Sequence, residues 1–455
     1  MKPSKTSLMC TILAVALALR LINLTTSLWY DELYTYVNFI RGGPADALLR
    51  YRAANNHPLY SFCAWLSLCS TPGSLELSLR LPALLLGLTT IALLMRRGGA
   101  LLGAPAGLIG AALLSLAPAH ALYSQEARGY TGASLFVTLA LLSAASQRTR
   151  RDELTLTAAI PLAIWFHAAS GLVTLSLGLS ALGASSPPRR ALRRAWLLGH
   201  LLALICYLPI LKRTMGFARR HVLGSHEQGV LDRLTQMLTA LCSWDRLGIV
   251  GALLVTLVVL GAVSARRGTP EQRRFSRSAL VGAGALALFW SLPGTLFFPR
   301  FVLFIQPALL ALAGIGGAEL ARASRRPSLV VAGLLVAAAT LQLPTFSRLA
   351  ATPQQDLRGA LRLAERWARG DLVVAGGTGG ELLASYASPG VRFVEGHAEL
   401  DELLSEGGRL IYIEPFAGGS VGLIAERLGA ARRARVLAGL RHKVKVYELA
   451  AKSGR

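Results

Sequence analysis

Long apolar runs separated by short charged connections dominate this chain. The runs are Leu8–Leu24, Leu79–Met95, Leu101–Ala119, Gly132–Ala145, Leu154–Phe166, Ala168–Gly183, Ala195–Leu211, Leu247–Val263, Ala279–Leu292, Phe301–Leu320 and Leu329–Leu343. Several approach the roughly 20 residues a helix needs to cross a bilayer, so the pattern predicts eleven spans. A twelfth run, Pro58–Ser70, is short for a span and is followed by the breaker Thr71-Pro72-Gly73. Charge decides its fate. If it does not cross, alternation from a cytoplasmic Lys2/Lys5 terminus puts Arg96-Arg97, Arg148/Arg150/Arg151, Arg189/Arg190/Arg193/Arg194, Arg266/Arg267/Arg273/Arg274/Arg277 and Arg322/Arg325/Arg326 all inside. If it does, every cluster flips outside. The positive-inside rule therefore favours a short helix embedded from the outer face. The first run could be a signal peptide, but ten spans follow and Arg20 interrupts its end, which favours an uncleaved span.

After Leu343 the period changes. Leu357–Arg369, Glu381–Tyr386 and Glu399–Leu404 read as helices, and Asp371–Ala375, Val391–Val394, Leu410–Ile413 and Val444–Leu449 as strands. The expected fold class is thus an α-helical polytopic membrane protein with a small C-terminal extracytoplasmic α/β domain. Residues 1–347 would form the membrane domain, including the first outer loop 25–56, and residues 348–455 the soluble one.

Composition agrees with a bilayer as solvent. The 455 residues are 53% hydrophobic and 16% charged, with a mean hydropathy of +0.48, too apolar for a soluble multidomain enzyme of this length. The 48 Lys+Arg against 24 Asp+Glu would suggest nucleic acid or anionic lipid in a soluble chain. Here the arginines sit between apolar runs, as topology determinants do, and no nucleic-acid partner is expected. Cys10, Cys63, Cys69, Cys206 and Cys242 form no C-x-x-C pair, which disfavours a zinc ribbon, a redox dithiol or a disulfide scaffold.

On this topology most polar residues of interest share the outer face. Ser27-Leu28-Trp29-Tyr30-Asp31-Glu32-Leu33-Tyr34 sets two carboxylates among aromatics just past a span. Such a pair is costly at that depth unless it faces water, a cation or a substrate, so the reading lies between a solvated loop and a functional site. Adjacent residues on a helix point about 100° apart, so one carboxylate can face a reacting group while the other supports it or binds a divalent cation. His57 precedes Pro58 at a helix start; it reads equally as a phosphate or hydroxyl contact and as an interfacial histidine beside a cap. Glu126 and Arg128 share a tight turn, as a local ion pair or as site residues. Arg300 sits at a span mouth, snorkelling or binding.

Taken together, these segments resemble the membrane glycosyltransferases of the GT-C fold, and more narrowly the bacterial relatives of the dolichyl-phosphate-mannose–protein mannosyltransferases and the lipid A aminoarabinose transferases. The ordered set is Trp29-Tyr30-Asp31-Glu32, His57-Pro58-Leu59-Tyr60, Arg80-Leu81-Pro82, Ser124-Gln125-Glu126-Ala127-Arg128-Gly129-Tyr130 and Arg300-Phe301. The family's second proline after His57 is absent, Leu59 following Pro58 directly. Gln355-Asp356-Leu357-Arg358 also matches a recurrent opening of the outer domain. The resemblance covers Leu8 to about Leu343. It implies Asp31 as general base, with Glu32 orienting the acceptor or a cation. Arg300, His57 and Arg128 would bind the donor phosphate, with Glu126, Tyr60, Tyr130 and Arg80 in support.

The chain has no D-x-D motif and no G-x-G-x-x-G after a strand. Sugar nucleotides are cytoplasmic, whereas the carboxylates face outside, so the expected donor is a sugar on a polyprenyl phosphate. That leaving group needs cations rather than a general acid, and one base with arginines suffices for inversion at the sugar. The acceptor would be a glycan, lipid or protein hydroxyl at the outer face of the cytoplasmic membrane, in the cell envelope. No metal is assigned, since His167 stands alone between two spans and no His/Asp cluster has ligand spacing. The rival class is a polytopic transporter or flippase of lipid-linked sugars. Such proteins keep ionisable groups at mid-membrane and show repeated halves, neither of which appears. A third reading, an anion-binding loop at Gly376-Gly377-Thr378-Gly379-Gly380, lacks the lysine of a P-loop.

Overall fold

The computed structural model describes all residues except 1–3, 52, 54, 72, 147–148, 182–186, 218, 220–228, 230, 233–234, 237–248, 293–297, 377–378, 388–389, 395–396, 406–408, 417–430, 438, 440–441 and 451–455. Cys242, much of the expected outer segment Lys212–Arg246, the start of Pro293–Arg300 and the middle of the glycine loop after Gly376 lie outside the described residues. The chain forms two compact units. One comprises Met1–Ile22, Ala47–Thr71 and Ser78–Ser347, and the other Asn23–Asp46, Pro72–Leu77 and Arg348–Arg455.

The first unit is helical, and the described residues of the apolar runs fall mostly in helices, among them Lys5–Leu21, Leu75–Leu93, Tyr130–Ser146, Arg150–Phe166 and Gln306–Arg322. Three described stretches are long and apolar enough to cross a membrane: Leu75–Leu102, Arg190–Gly216 and Pro327–Ala351. Leu197, Leu201, Leu204 and Ile205 stand exposed on the Pro187–Tyr207 helix. A water-facing surface rarely carries so continuous an apolar stripe, whereas lipid solvates it. The run that begins at Leu101 breaks at Gly103, whose φ of 104° suits glycine, and restarts at Ala104 with Pro105 in the first turn. The run at Phe301 opens as a short 3-10 helix, Pro299–Phe304, before the Gln306–Arg322 helix begins.

That last helix lies between Ala104–Ser115 and Ile249–Arg267, and glycines set the approach. A Cβ on Gly314 would strike the Ala106 carbonyl, one on Gly261 the Leu312 carbonyl, and one on Gly316 the Leu257 carbonyl. Small residues let helix backbones touch, which supplies packing where lipid removes the hydrophobic drive. At one end of the unit the arginine-rich connections meet. Arg97 pairs with Asp152 at 2.7 Å, Arg194 with Glu153 at 2.6 Å, and Arg274 donates to the carbonyls of Ala145 and Ser146. On the Lys5–Leu21 helix, fully buried Arg20 donates to the carbonyls of Ala16, Ser115 and Leu114, to Ser124 Oγ, and lies 2.9 Å from His120 Nδ1. These bonds satisfy the guanidinium in an apolar surround and tie the first helix to its neighbours.

The second unit holds a five-stranded sheet of β1 (Leu372–Gly376), β2 (Arg392–Val394), β3 (Arg409–Glu414), β4 (Ala431–Leu437) and β5 (Val444–Ala450), in the order β2-β1-β3-β5-β4. β1 runs parallel to β2 and β3, and β5 antiparallel to β3 and β4. Four of the strands coincide with those read from the sequence; β4, with three arginines in seven residues, was not anticipated. Positive charge on an edge strand is a common guard against further pairing, and it hides the apolar alternation. The Leu357–Ala368 helix covers one sheet face, capped by Asp356, whose Oδ1 accepts from the Gly359 N–H at 2.8 Å. Its Leu357, Ala360, Leu363 and Ala364 enter the core with Ile411 and Val446, and Leu33 from the Asn23–Asp46 segment joins them. Asn23–Asp46 therefore clusters with the C-terminal residues rather than with the helical unit.

Candidate active site

In the second unit, Tyr30–Thr35 forms a short helix that carries both carboxylates. Helices of this length do not hold themselves together, so the first-turn N–H groups need partners. Glu32 Oε2 accepts from the Trp29 N–H at 3.2 Å, and Gln355 Oε1 accepts from the Tyr30 N–H at 2.9 Å. Glu32 is fully buried and caps its own helix, while Asp31 stands at the margin of burial. Trp29 stacks on His442 and Tyr30 meets Phe416 edge-on at 4.9 Å.

In the helical unit, three predicted residues converge on the ring of a fourth, Tyr130. The Arg128 and Arg300 guanidinium carbons lie 5.8 and 6.0 Å from the Tyr130 ring centroid, and the His57 ring lies 5.3 Å from it, edge-on. Pro58 opens the Pro58–Ser70 helix at its first turn, leaving His57 at the N-cap. The Ser124–Gly129 turn brings Arg128 back across Asn55, to whose carbonyl it donates at 3.2 Å. Gly129 is required there, because a Cβ would strike the Phe166 carbonyl and press on His57. Glu126 and Arg80 are buried in the same unit, and Tyr60 donates to the Leu79 carbonyl at 2.8 Å.

His167 joins this group, although its position between two apolar runs gave it no partner in the sequence. Its ring centroid is 4.6 Å from that of His57, 5.1 Å from that of Tyr130 and 4.8 Å from that of Phe304. The only signal available was a polar residue where one helix ends and the next begins. His57 Nδ1 lies 3.2 Å from the Phe166 carbonyl, and its Nε2 is buried with no hydrogen-bond partner among the described residues. Both histidines occupy connections rather than spans. Burial first, then Arg128, His167 and Arg300, holds His57 well below the usual histidine range; burial, Arg128 and Arg300 do the same to His167. They are neutral at pH 7, so among the described residues of this cluster the positive charge lies on the arginines. Among the described residues no group of three or more His, Cys, Asp or Glu has metal-binding proximity.

The sign of the histidine shifts sets a pH dependence. The unfolded chain takes up these protons near the ordinary value of about 6.5, whereas the folded cluster takes them up only at lower pH. Stability contributed by the neutral pair is present above about pH 6.5 and is lost as pH falls through the lowered folded values. The thermal midpoint of detergent-solubilised protein should drop more steeply from pH 7 to 5 than that of His57→Gln/His167→Phe. Parallel curves for the two proteins would contradict this.

Comparison with known proteins follows the same lines. A family profile for dolichyl-phosphate-mannose-protein mannosyltransferase matches residues 55–212. Crystal structures of ArnT from Cupriavidus metallidurans, one apo and one bound to undecaprenyl phosphate, match 98% of this chain and 99% of theirs with a TM-score of 0.63, at 16% and 15% identity. The Archaeoglobus fulgidus oligosaccharyltransferase, crystallised with Zn and sulfate, matches 89% of this chain and 68% of its own with a TM-score of 0.50 at 14% identity. No curated protein sequence matches the chain. At these identities the structural likeness speaks to fold: the chain has the GT-C fold, ArnT-like, with a small C-terminal sheet. The resemblance seen in the motifs to the protein mannosyltransferases and to ArnT holds.

Proposed function

We propose that this chain is a membrane glycosyltransferase that moves a sugar from a polyprenyl-phosphate donor to an acceptor hydroxyl on the outer face of the cytoplasmic membrane, with inversion at the sugar carbon. The observation that carries the reading is the pair of guanidinium groups, Arg128 and Arg300, about one aromatic ring beside two neutral histidines. Two cations against aromatic rings, one buried and one half-buried, suit a phosphate, because low polarity strengthens each charge-assisted contact. A protein of the same fold binds undecaprenyl phosphate, which supports a donor of that class here. Asp31 takes the proton of the acceptor hydroxyl. The freed oxygen bonds to the sugar carbon, and the carbon–oxygen bond to phosphate breaks, its electron pair leaving with the polyprenyl phosphate. Glu32 holds the turn that presents Asp31, and His57 and His167 offer neutral hydrogen bonds to the phosphate or the sugar.

Eleven spans with an embedded Pro58–Ser70 helix put the carboxylate segment and residues 348–455 outside. The common end of Arg97, Arg194 and Arg274 supports a single cytoplasmic side for those connections.

Arg300→Ala should weaken binding of undecaprenyl phosphate by the purified protein by about tenfold to a hundredfold, the range for a hydrogen bond to a charged group. Arg300→Lys should recover part of it, since a point charge replaces a planar fork. Equal affinities for wild type and Arg300→Ala would move phosphate binding elsewhere.

A further inference from the structure

Gln355-Asp356-Leu357-Arg358 opens the C-terminal segment, and the reaction scheme gives it no part beyond the cap on its own helix. Yet three of its groups reach the first outer loop within the second unit. Gln355 Oε1 accepts the Tyr30 N–H at 2.9 Å, the Arg358 N–H donates to Ser27 Oγ at 3.1 Å, and the Arg358 guanidinium reaches the Thr25 carbonyl at 3.4 Å. The same guanidinium pairs with Glu76, a buried carboxylate from the Pro72–Leu77 segment, which also accepts from the Tyr386 hydroxyl at 2.5 Å. Gln355 is fully buried, and its Nε2 donates to the Pro415 carbonyl at 2.6 Å. That second bond fixes which way the amide faces. Turned over, the amide would set N–H against N–H and oxygen against oxygen.

We propose that Gln355 and the Arg358–Glu76 pair are positioning residues that set the direction of the Asp31 carboxylate, acting through the first turn of the Tyr30–Thr35 helix. The physical ground is the shortness of that helix. Six residues make too few internal bonds to define an axis, so the partner of the first free N–H decides where the next side chain points. Tyr30 is the residue before Asp31, and its N–H is held from the C-terminal segment. Arg358 holds the chain that enters the helix, at Thr25 through the guanidinium that Glu76 pairs and at Ser27 through its backbone N–H. Leu33 anchors the other side of the turn in the core. The C-terminal segment is thereby part of the apparatus that aims the base.

This rests on Asp31 being the base, so the test has one arm that does not. Amide exchange, read by mass spectrometry on the purified full chain, reports the latch directly. Gln355→Leu, which keeps bulk but accepts nothing, should speed exchange in residues 25–36 by tenfold or more while β1 and β3 stay protected. Sugar transfer is read in membranes of a deletion strain, which hold the native donor and acceptor. There Gln355→Leu should lower the rate by about a hundredfold, the scale of a roughly 1 Å misplacement, with undecaprenyl phosphate binding unchanged. Glu76→Arg and Arg358→Glu should each slow transfer, and the two together should restore it in part. Unchanged exchange in residues 25–36 of Gln355→Leu, or a charge-swapped protein no better than its single variants, would overturn the proposal. Fast exchange with full transfer would show that the latch exists and does not aim a base, which also overturns it. If Asp31→Asn itself transfers normally, the chemical reading fails while the exchange result still stands or falls alone.

Discussion

Asp31→Asn should lose sugar transfer by about 10²–10⁴-fold, the usual worth of general-base assistance, with undecaprenyl phosphate binding and expression largely intact. Asparagine keeps the size of the side chain but has no basic oxygen for the acceptor proton. Glu32→Gln should lose much less, because glutamine at the third helical position also accepts the N-terminal N–H and preserves the turn that Glu32 now caps through Trp29. A wild-type rate for Asp31→Asn, or inactivity confined to Glu32→Gln, would pass the role of base to the neighbouring carboxylate. The assay is transfer in membranes of a deletion strain supplied with each purified variant.

Gly261→Leu should leave little folded protein. Its Cβ would enter the Leu312 carbonyl and approach the Gly316 nitrogen, both backbone atoms on a packed helix, so the helices must part rather than repack. Overfilling a tight core costs about 1–3 kcal/mol when side chains can move, and more is expected here because they cannot. Gly284→Leu is the control: nothing lies within 4 Å of that position. The fraction eluting as a single species after mild heating in detergent separates the two. Equal survival of both variants would mean that the Gln306–Arg322 helix does not pack as described.

The helices were legible because their apolar runs are long and bounded by arginine, glycine and proline. Four strands were legible for a related reason, since Val373, Ile411 and Val446 belong to short β-branched runs between polar breaks. β4 was hidden by Arg432, Arg433 and Arg435, whose charge masks an edge strand that needs only one covered side. Within the candidate site, Arg128, Arg300 and His57 were expected from the resemblance of their motifs, whereas the residues alone left each open between a site role and an interfacial or ion-pairing one, because only helix packing brings them to Tyr130. His167 could not be named, because its partners Tyr130 and Phe304 are distant in sequence and meet it only through helix packing. The attachment of Asn23–Asp46 to the C-terminal segment is likewise a tertiary fact. Leu33 alternates with nothing that marks it for a core built more than three hundred residues later.

The measurement that bears most directly on the central claim is a lipid and glycan analysis of a deletion strain carrying either wild-type protein or Asp31→Asn. Transferase action predicts that one sugar disappears from an envelope glycan, lipid or protein, that its polyprenyl-phosphate donor accumulates on the outer face, and that wild type but not Asp31→Asn reverses both. Accumulation confined to the cytoplasmic face would indicate a flippase instead, and an unchanged envelope with no accumulated donor, or full reversal by Asp31→Asn, would contradict the proposed chemistry.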